Sequence, residues 1–303
     1  MTIPGSVKEI LWQAFSMNEN LKSVKLSEGI KTIDYTAFDD CPKLTKINIP
    51  KSLDDSSLVA YRSKTKLEDY LEDFDIRDNG LLYKYNGTDA NVYIPEGVKI
   101  ICNGAFRENN NIELVEIPEG VVSIEDDAFA SCSDLTIVKF PDSLKNIGDY
   151  AFFACNLQKL QLPEGLISIG ENAFYYNTWY LKEVHIPDTV TSIGRSAFGS
   201  CHALVDVSIS NKVARIEKNT FIRCDNLRNI IVPSNVTYIA RGAFGGSLDN
   251  TKSVNLTVLN KNAYLDNHVF YGFDYREATI ISPAGGSVQR MASRNKISYK
   301  KLK

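Results

Sequence analysis

The chain holds only three histidines, two tryptophans and three methionines among 303 residues, and its 34 basic and 37 acidic side chains leave a net charge of −3. Three histidines far apart in sequence, His185, His202 and His268, make no His-rich metal site. A slightly negative balance supplies no global basic field for nucleic acid. No run of 18 apolar residues is present, so no segment is expected to insert in a membrane. G-x-S-x-G, Walker and G-x-G-x-x-G patterns are also missing, and with them the usual signals of a nucleophile or a phosphate cradle. No catalytic residue and no cofactor is expected.

What the chain has instead is repetition. An Ala-Phe pair recurs at Phe15, Phe38, Phe106, Phe129, Phe152, Phe174, Phe198 and Phe244, with Thr220 replacing alanine before Phe221. From Phe106 to Phe244 the steps are 23, 23, 22, 24, 23 and 23 residues. The 68 residues between Phe38 and Phe106 hold room for two further copies, near Tyr61 and Tyr83, and a step of 26 leads to Phe270. A period of this length means about a dozen stacked coils, each unable to bury its apolar face alone. The fold expected is a solenoid, mostly β with short helical turns and a stacked parallel sheet.

Each copy opens with Leu-x-x-Val-x-Ile, as at Leu204, Val207 and Ile209, whose last two members alternate like a strand. Proline follows directly in most copies and ends the strand, because it has no N–H for a ladder. Pro118-Glu119-Gly120 and its equivalents suit a type I turn with Pro second and Gly fourth. A second apolar piece, such as Val190 and Ile193, leads to the Ala-Phe pair on a single helical turn. After that second Ile stand Gly148, Gly170 and Gly194 but also Asp34, Glu125, Glu217 and Ala240, so the position does not demand positive φ.

Cys41, Cys132, Cys155, Cys201 and Cys224 each lie three residues after the Phe, where other copies carry Asn18, Asn109 and Asn177. Cys and Asn alternating at one repeat position predict a buried ladder rather than disulfides or a metal site. Cys102 falls elsewhere, as an isolated thiol. Cys201 and His202 are chain neighbours and are not expected to form a dyad.

The organisation expected is one solenoid over 1–303. Residues 1–73 are N-terminal coils ending in a degenerate copy, with a boundary or bend at 51–73 and Leu67, Tyr70 and Leu71 as anchors. Residues 74–93 read as a hairpin, with Leu82–Tyr85 and Asn91–Ile94 flanking Asn86-Gly87. Regular coils occupy 94–246, and 247–303 hold degenerate coils closed by a helix over 287–295, with Val288, Met291 and Ala292 on one face, and a last strand. Met1 to Pro4 already resembles the end of a repeat strand, so the chain reads as a fragment without a secretory signal or its natural N-terminal cover. One residue is lost before Leu157 and one gained in 175–180, where Tyr175, Tyr176, Trp179 and Tyr180 either form an interaction site or seal the gap.

The unit L-x-x-V-x-I-P-x-[GST]-V-x-x-I-G-x-x-A-F-x-x-C, most complete from Ile94 to Gly245, resembles the BspA-like leucine-rich repeats of bacterial surface proteins. The entry at Asp78-Asn79-Gly80 and the ending Ala284 to Leu302 are similar to segments that begin and close modules in that family. The resemblance implies an extracellular, cell-wall or secreted right-handed solenoid for adhesion or partner binding, and implies no catalytic residues. Its partner would be a protein or glycan, such as host extracellular matrix or another surface protein. The alternative is a spacer within a larger surface protein.

Solenoids usually bind on the concave sheet, so the outward positions of the first strand are the candidate site. These include Lys139, Lys159, Gln161, Glu183, His185 and Asp206. Stacking in register would set Glu183 about one strand spacing from Asp206. That pair suits a paired carboxylate or a weak calcium site, but Lys159 beside it points to mutual neutralisation on a solvated face.

Overall fold

A computed structural model describes the chain apart from residues 35, 45, 48, 49, 51, 53–72, 78, 79, 247–252, 273–277 and 303. The bend and apolar anchors expected within 51–73 therefore lie almost wholly outside the described residues, as do the copy near Tyr61 and the Asp78-Asn79 part of the module entry. The fold is a β-solenoid of about 11 turns, close to the dozen coils that the repeat spacing predicts. It forms two compact units: Met1–Gly87 with Ile94–Val98, and Thr88–Tyr93 with Lys99–Lys303.

In the first unit, Thr2–Ile3, Ser23–Leu26 and Lys46–Ile47 form one parallel sheet, and Glu9–Ile10 pairs with Thr32–Ile33. Their inward members Ile3, Val24, Leu26, Ile10 and Ile33 make a core with Ile30, Ala37 and Phe38. The hairpin of this unit is not the one the sequence suggests. Phe74–Arg77 pairs antiparallel with Leu81–Tyr85, whereas Asn91–Tyr93 joins Leu114–Glu116 in a parallel sheet of the second unit. Asn86-Gly87 is therefore not the hairpin turn: Asn86 N–H donates back to the Asp73 carbonyl at 2.6 Å, and Gly80, at φ +78°, sits between the paired strands. Both stretches alternate equally well, and only the inter-coil partner decides which one pairs with which.

The second unit shows the repeat at its clearest. Ser123–Ile124 pairs in parallel with Ile100–Ile101 and Asn146–Ile147, then Ser168–Ile169 and Ser192–Ile193 follow in register. In five coils of this unit the turn before the second strand starts at the proline itself. The N–H of Val121, Leu144, Leu166, Val190 and Val236 donates to the carbonyl of the proline three residues earlier, so proline is first in the turn rather than second. Gly120 then occupies the third position at φ +98°, while Gly165 has no positive φ. The glycine is thus a local option of the turn.

The Ala-Phe pair is not on a helical turn either. Its bend carries left-handed residues two before and two after the Phe, such as Asp127 and Ser131, Tyr150 and Ala154, or Asn219 and Arg223. That costs about 1–2 kcal/mol per residue, and the reason lies in the next coil. The N–H groups of Asp127, Phe129 and Ser131 donate to the carbonyls of Asp149, Ala151 and Phe153 at 2.8, 2.8 and 2.7 Å. A helical turn would keep those donors within one coil, whereas the left-handed residues aim all three at the neighbour.

The phenyl rings stack behind this seam. From Phe106 to Phe244 successive centroids are 4.6–5.7 Å apart and the planes within 11°. Gly148, Gly170 and Gly194 answer to the same closeness, since a Cβ on Gly170 would fall 2.5 Å from the Gly148 carbonyl carbon. At the C-terminal end the helix Ser287–Arg294 buries Val288, Met291 and Ala292, the face its spacing predicts, and Ser298–Lys301 pairs with Ala278–Ser282.

Candidate binding face on the first strand

Among the described residues no group of three or more His, Cys, Asp or Glu side chains is placed to hold a metal ion, and no helix is long and apolar enough to cross a membrane. Glu183 and Asp206 are therefore joined by no third such side chain. The cysteines form the ladder expected of them. Cys41, Cys132, Cys155, Cys201 and Cys224 donate their thiols to the carbonyls of Phe15, Phe106, Phe129, Phe174 and Phe198 in the preceding coil, at 3.1–3.4 Å. Asn177 takes the same place with its amide, donating to Phe152 and Phe174 oxygens at 3.0 Å each. Burial pushes the Cys132 and Cys201 thiols up to about 12, and those of Cys155 and Cys224 well above their ordinary value. None of the six cysteines forms a disulfide. Cys201 points to its Phe174 carbonyl while His202 Nδ1 meets Asp225 Oδ2 at 2.8 Å, so the two neighbours share no chemistry.

The first-strand row forms in two parts. Leu114–Glu116 and Ile137–Lys139 stand in register, and Lys139 Nζ pairs with Glu116 Oε2 at 3.0 Å across the two coils. Further along, Glu183–His185 lies beside Asp206–Ser208, with Glu183 opposite Asp206 and His185 opposite Ser208. His185 Nδ1 hydrogen-bonds Ser208 Oγ. Between the two parts the coil of Lys159 has no strand, only an isolated bridge from Gln161 to His185. The residue missing before Leu157 falls in this coil, and Leu157 N–H turns to the Asn177 side chain at 3.2 Å.

The Gln161–His185 bridge brings the coil of Lys159 alongside Glu183, and among the described residues no ion pair joins Lys159 to either carboxylate. Glu183 and Asp206, both exposed, stand opposite one another on adjacent strands, an arrangement that costs stability. Gln161 and His185 are brought together, Glu183 and Asp206 likewise, while Lys139 sits in the other part of the row.

The 175–180 loop is also rearranged relative to a simple seal. Asn177 and Thr178 are buried and fill the enlarged coil, while Trp179, Tyr176 and Tyr180 are 72%, 53% and 52% exposed. Tyr175 stacks on Phe153 at 5.8 Å. Sequence reading could not separate these roles, because the gap is filled by Asn177, which reaches the Phe carbonyls, with Thr178 beside it, and not by the largest side chains.

Stacked short parallel strands, an aromatic seam and a Cys/Asn ladder define a leucine-rich-repeat solenoid. The BspA type leucine rich repeat region matches residues 1–79, 82–176 and 145–277, in six copies, and the chain belongs to that family. Among solved structures it is similar to a leucine-rich repeat protein of T. pallidum, at 21% identity over 76% of this chain and 96% of that one, with a TM-score of 0.51. It is also similar to one from Bacteroides ovatus, at 18% identity over 100% of this chain and 92% of that one, with a TM-score of 0.54. At such identities the likeness extends to the fold. No curated protein matches.

Proposed function

We propose that this chain is a non-catalytic recognition module displayed outside the cell, engaging a protein or glycan through the first-strand row at Lys139, Lys159, Gln161, Glu183, His185 and Asp206. The observation that carries the reading is the like-charged pair. Glu183 and Asp206 are in direct register, exposed, and joined by no ion pair to Lys159. Opposed like charges on neighbouring strands destabilise a sheet, and a cationic or multiply hydroxylated group on a partner would relieve that cost on binding. The placement outside the cell rests on the family resemblance.

The experiment is binding of the chain to a panel of extracellular-matrix proteins and glycans, beside the Glu183→Gln, Asp206→Asn double variant. The expected result is a variant that melts at the same or a slightly higher temperature and has lost its partner. Unchanged binding by the variant overturns the assignment of the face, and no binding on the whole panel overturns the module in favour of a spacer.

A further inference from the structure

A second row crosses the coils of the larger unit, three residues before each repeat Phe from Phe106 to Phe244. It reads Asn103, Asp126, Asp149, Glu171, Arg195, Lys218 and Arg241. The backbone stacks these residues directly. The carbonyls of Asp126, Asp149, Glu171, Arg195, Lys218 and Arg241 accept the N–H of Gly104, Asp127, Tyr150, Asn172, Ser196 and Asn219, each from the coil before, at 2.8–3.1 Å. The row therefore changes sign midway, three acids followed by three bases, at one charge for each coil.

The two halves differ in how their heads are used. Asp126 Oδ1 accepts the Asp149 N–H at 2.8 Å, and Asp149 Oδ1 accepts the Glu171 N–H at 2.6 Å, so these carboxylates are tied to the stack. The basic heads are exposed. Among the described residues Arg195, Lys218 and Arg241 form no ion pair. Arg241 lies over the Tyr271 ring at 5.0 Å, and in the same coils Arg215 lies over Tyr238 at 4.1 Å while pairing with Glu217 at 3.0 Å. The Tyr271 face supports the exposed Arg241 guanidinium from one side.

We infer that Arg195, Lys218 and Arg241 form a binding track for an anionic polysaccharide that runs along the stack, one charged group to each coil. Coils repeat at one strand spacing, ~4.8 Å, close to the length of one pyranose unit, so successive sulfates or carboxylates of a sugar chain meet successive cations. Arg supplies a flat fork of donors suited to either anion. The preceding acids bar a polyanion from extending beyond Arg195, which limits the contact to a short oligosaccharide. Three cations on a chain of net charge −3 are too few for a duplex or a charged bilayer, both of which reward broad basic surface. This track is separate from the first-strand row, and the inference does not rest on the function proposed for that row.

The test titrates the full chain with a heparin-derived hexasaccharide and with a hexagalacturonate at low salt. The triple variant Arg195→Gln, Lys218→Gln, Arg241→Gln is compared with the control Lys22→Gln, Lys25→Gln, Lys31→Gln, which removes the same charge elsewhere, and melting curves verify that both fold. Binding of one or both sugars is expected, weakened at least tenfold in the first variant and unchanged in the second, with a salt slope lower by about 2–3. Which hexamer binds tells sulfate from carboxylate. Equal losses in both variants, no binding of either sugar, or tighter binding to single-stranded DNA or phosphatidylserine vesicles overturns the inference. Retained sugar binding in the Glu183→Gln, Asp206→Asn variant keeps the two faces distinct.

Discussion

Replacing Asn177 by alanine removes three hydrogen bonds from the interior of the seam. Its Nδ2 donates to the Phe152 and Phe174 carbonyls at 3.0 Å, and its Oδ1 accepts the Leu157 N–H at 3.2 Å, all with the side chain fully buried. A buried polar group left without a partner costs about 1–3 kcal/mol; with partial relaxation of the three, a total near 3 kcal/mol is expected. Asn177→Cys should recover part of this, because thiols in four neighbouring copies donate to the equivalent Phe carbonyl. One bond restored and two still missing places it about 1–2 kcal/mol below the parent chain. Urea unfolding followed by circular dichroism gives the two losses, and native-state hydrogen exchange at the Leu157 amide gives the local one. The amide should exchange much faster in both variants, since neither replaces Oδ1. A cysteine variant as unstable as the alanine variant, or an alanine variant within ~0.5 kcal/mol of the parent, would refute the idea that Cys and Asn are interchangeable donors to this ladder.

Two further outcomes follow from the same seam. Burial raises the Cys201 thiol from an ordinary 9.0 to about 12, so the folded state holds a proton that the unfolded chain releases. Its contribution is therefore complete below pH ~9 and disappears as pH climbs toward ~12, by about 4 kcal/mol in all; a Cys201→Ser variant, which keeps a donor that does not titrate, should lose stability less steeply over that window, and parallel pH profiles would contradict the assignment. Gly170→Ala sets a Cβ 2.5–2.6 Å from the Gly148 and Asp149 backbone and should cost about 1–3 kcal/mol. Gly285→Ala meets nothing within 4 Å and pays only for φ +85°, about 1 kcal/mol; thermal melts that rank the two the other way would show that conformational freedom, not closeness, selects the central glycines.

Much of the candidate site's scaffold was legible because a repeat reports its own register. Phe129, Phe152 and Phe174 could be placed on one buried line by counting residues, and the line exists. The same counting set Glu183 beside Asp206 and joined Cys132, Cys155, Cys201 and Cys224 to Asn177 as one ladder. It failed where two local patterns were equally good. Asn86-Gly87 is a sound hairpin signal, but strand pairing is a long-range event, and Asn91–Tyr93 joins the parallel stack instead. The helical turn expected at Ala-Phe failed for a related reason, since the left-handed residues beside it are stable only when a neighbouring coil accepts their N–H groups.

The sequence alone thus determined the period, the inward residues, the strand that stops at each proline, and the family. These depend on spacing and side-chain size, which a linear chain displays directly. Tertiary structure alone decided that the coil of Lys159 forms no strand and joins the first-strand sheet only through the Gln161–His185 bridge. It also decided that Arg195, Lys218 and Arg241, more than twenty residues apart in a chain of net negative charge, stand one coil apart. Charge acts through distance in space, and stacking is what turns a 23-residue step into a single strand spacing.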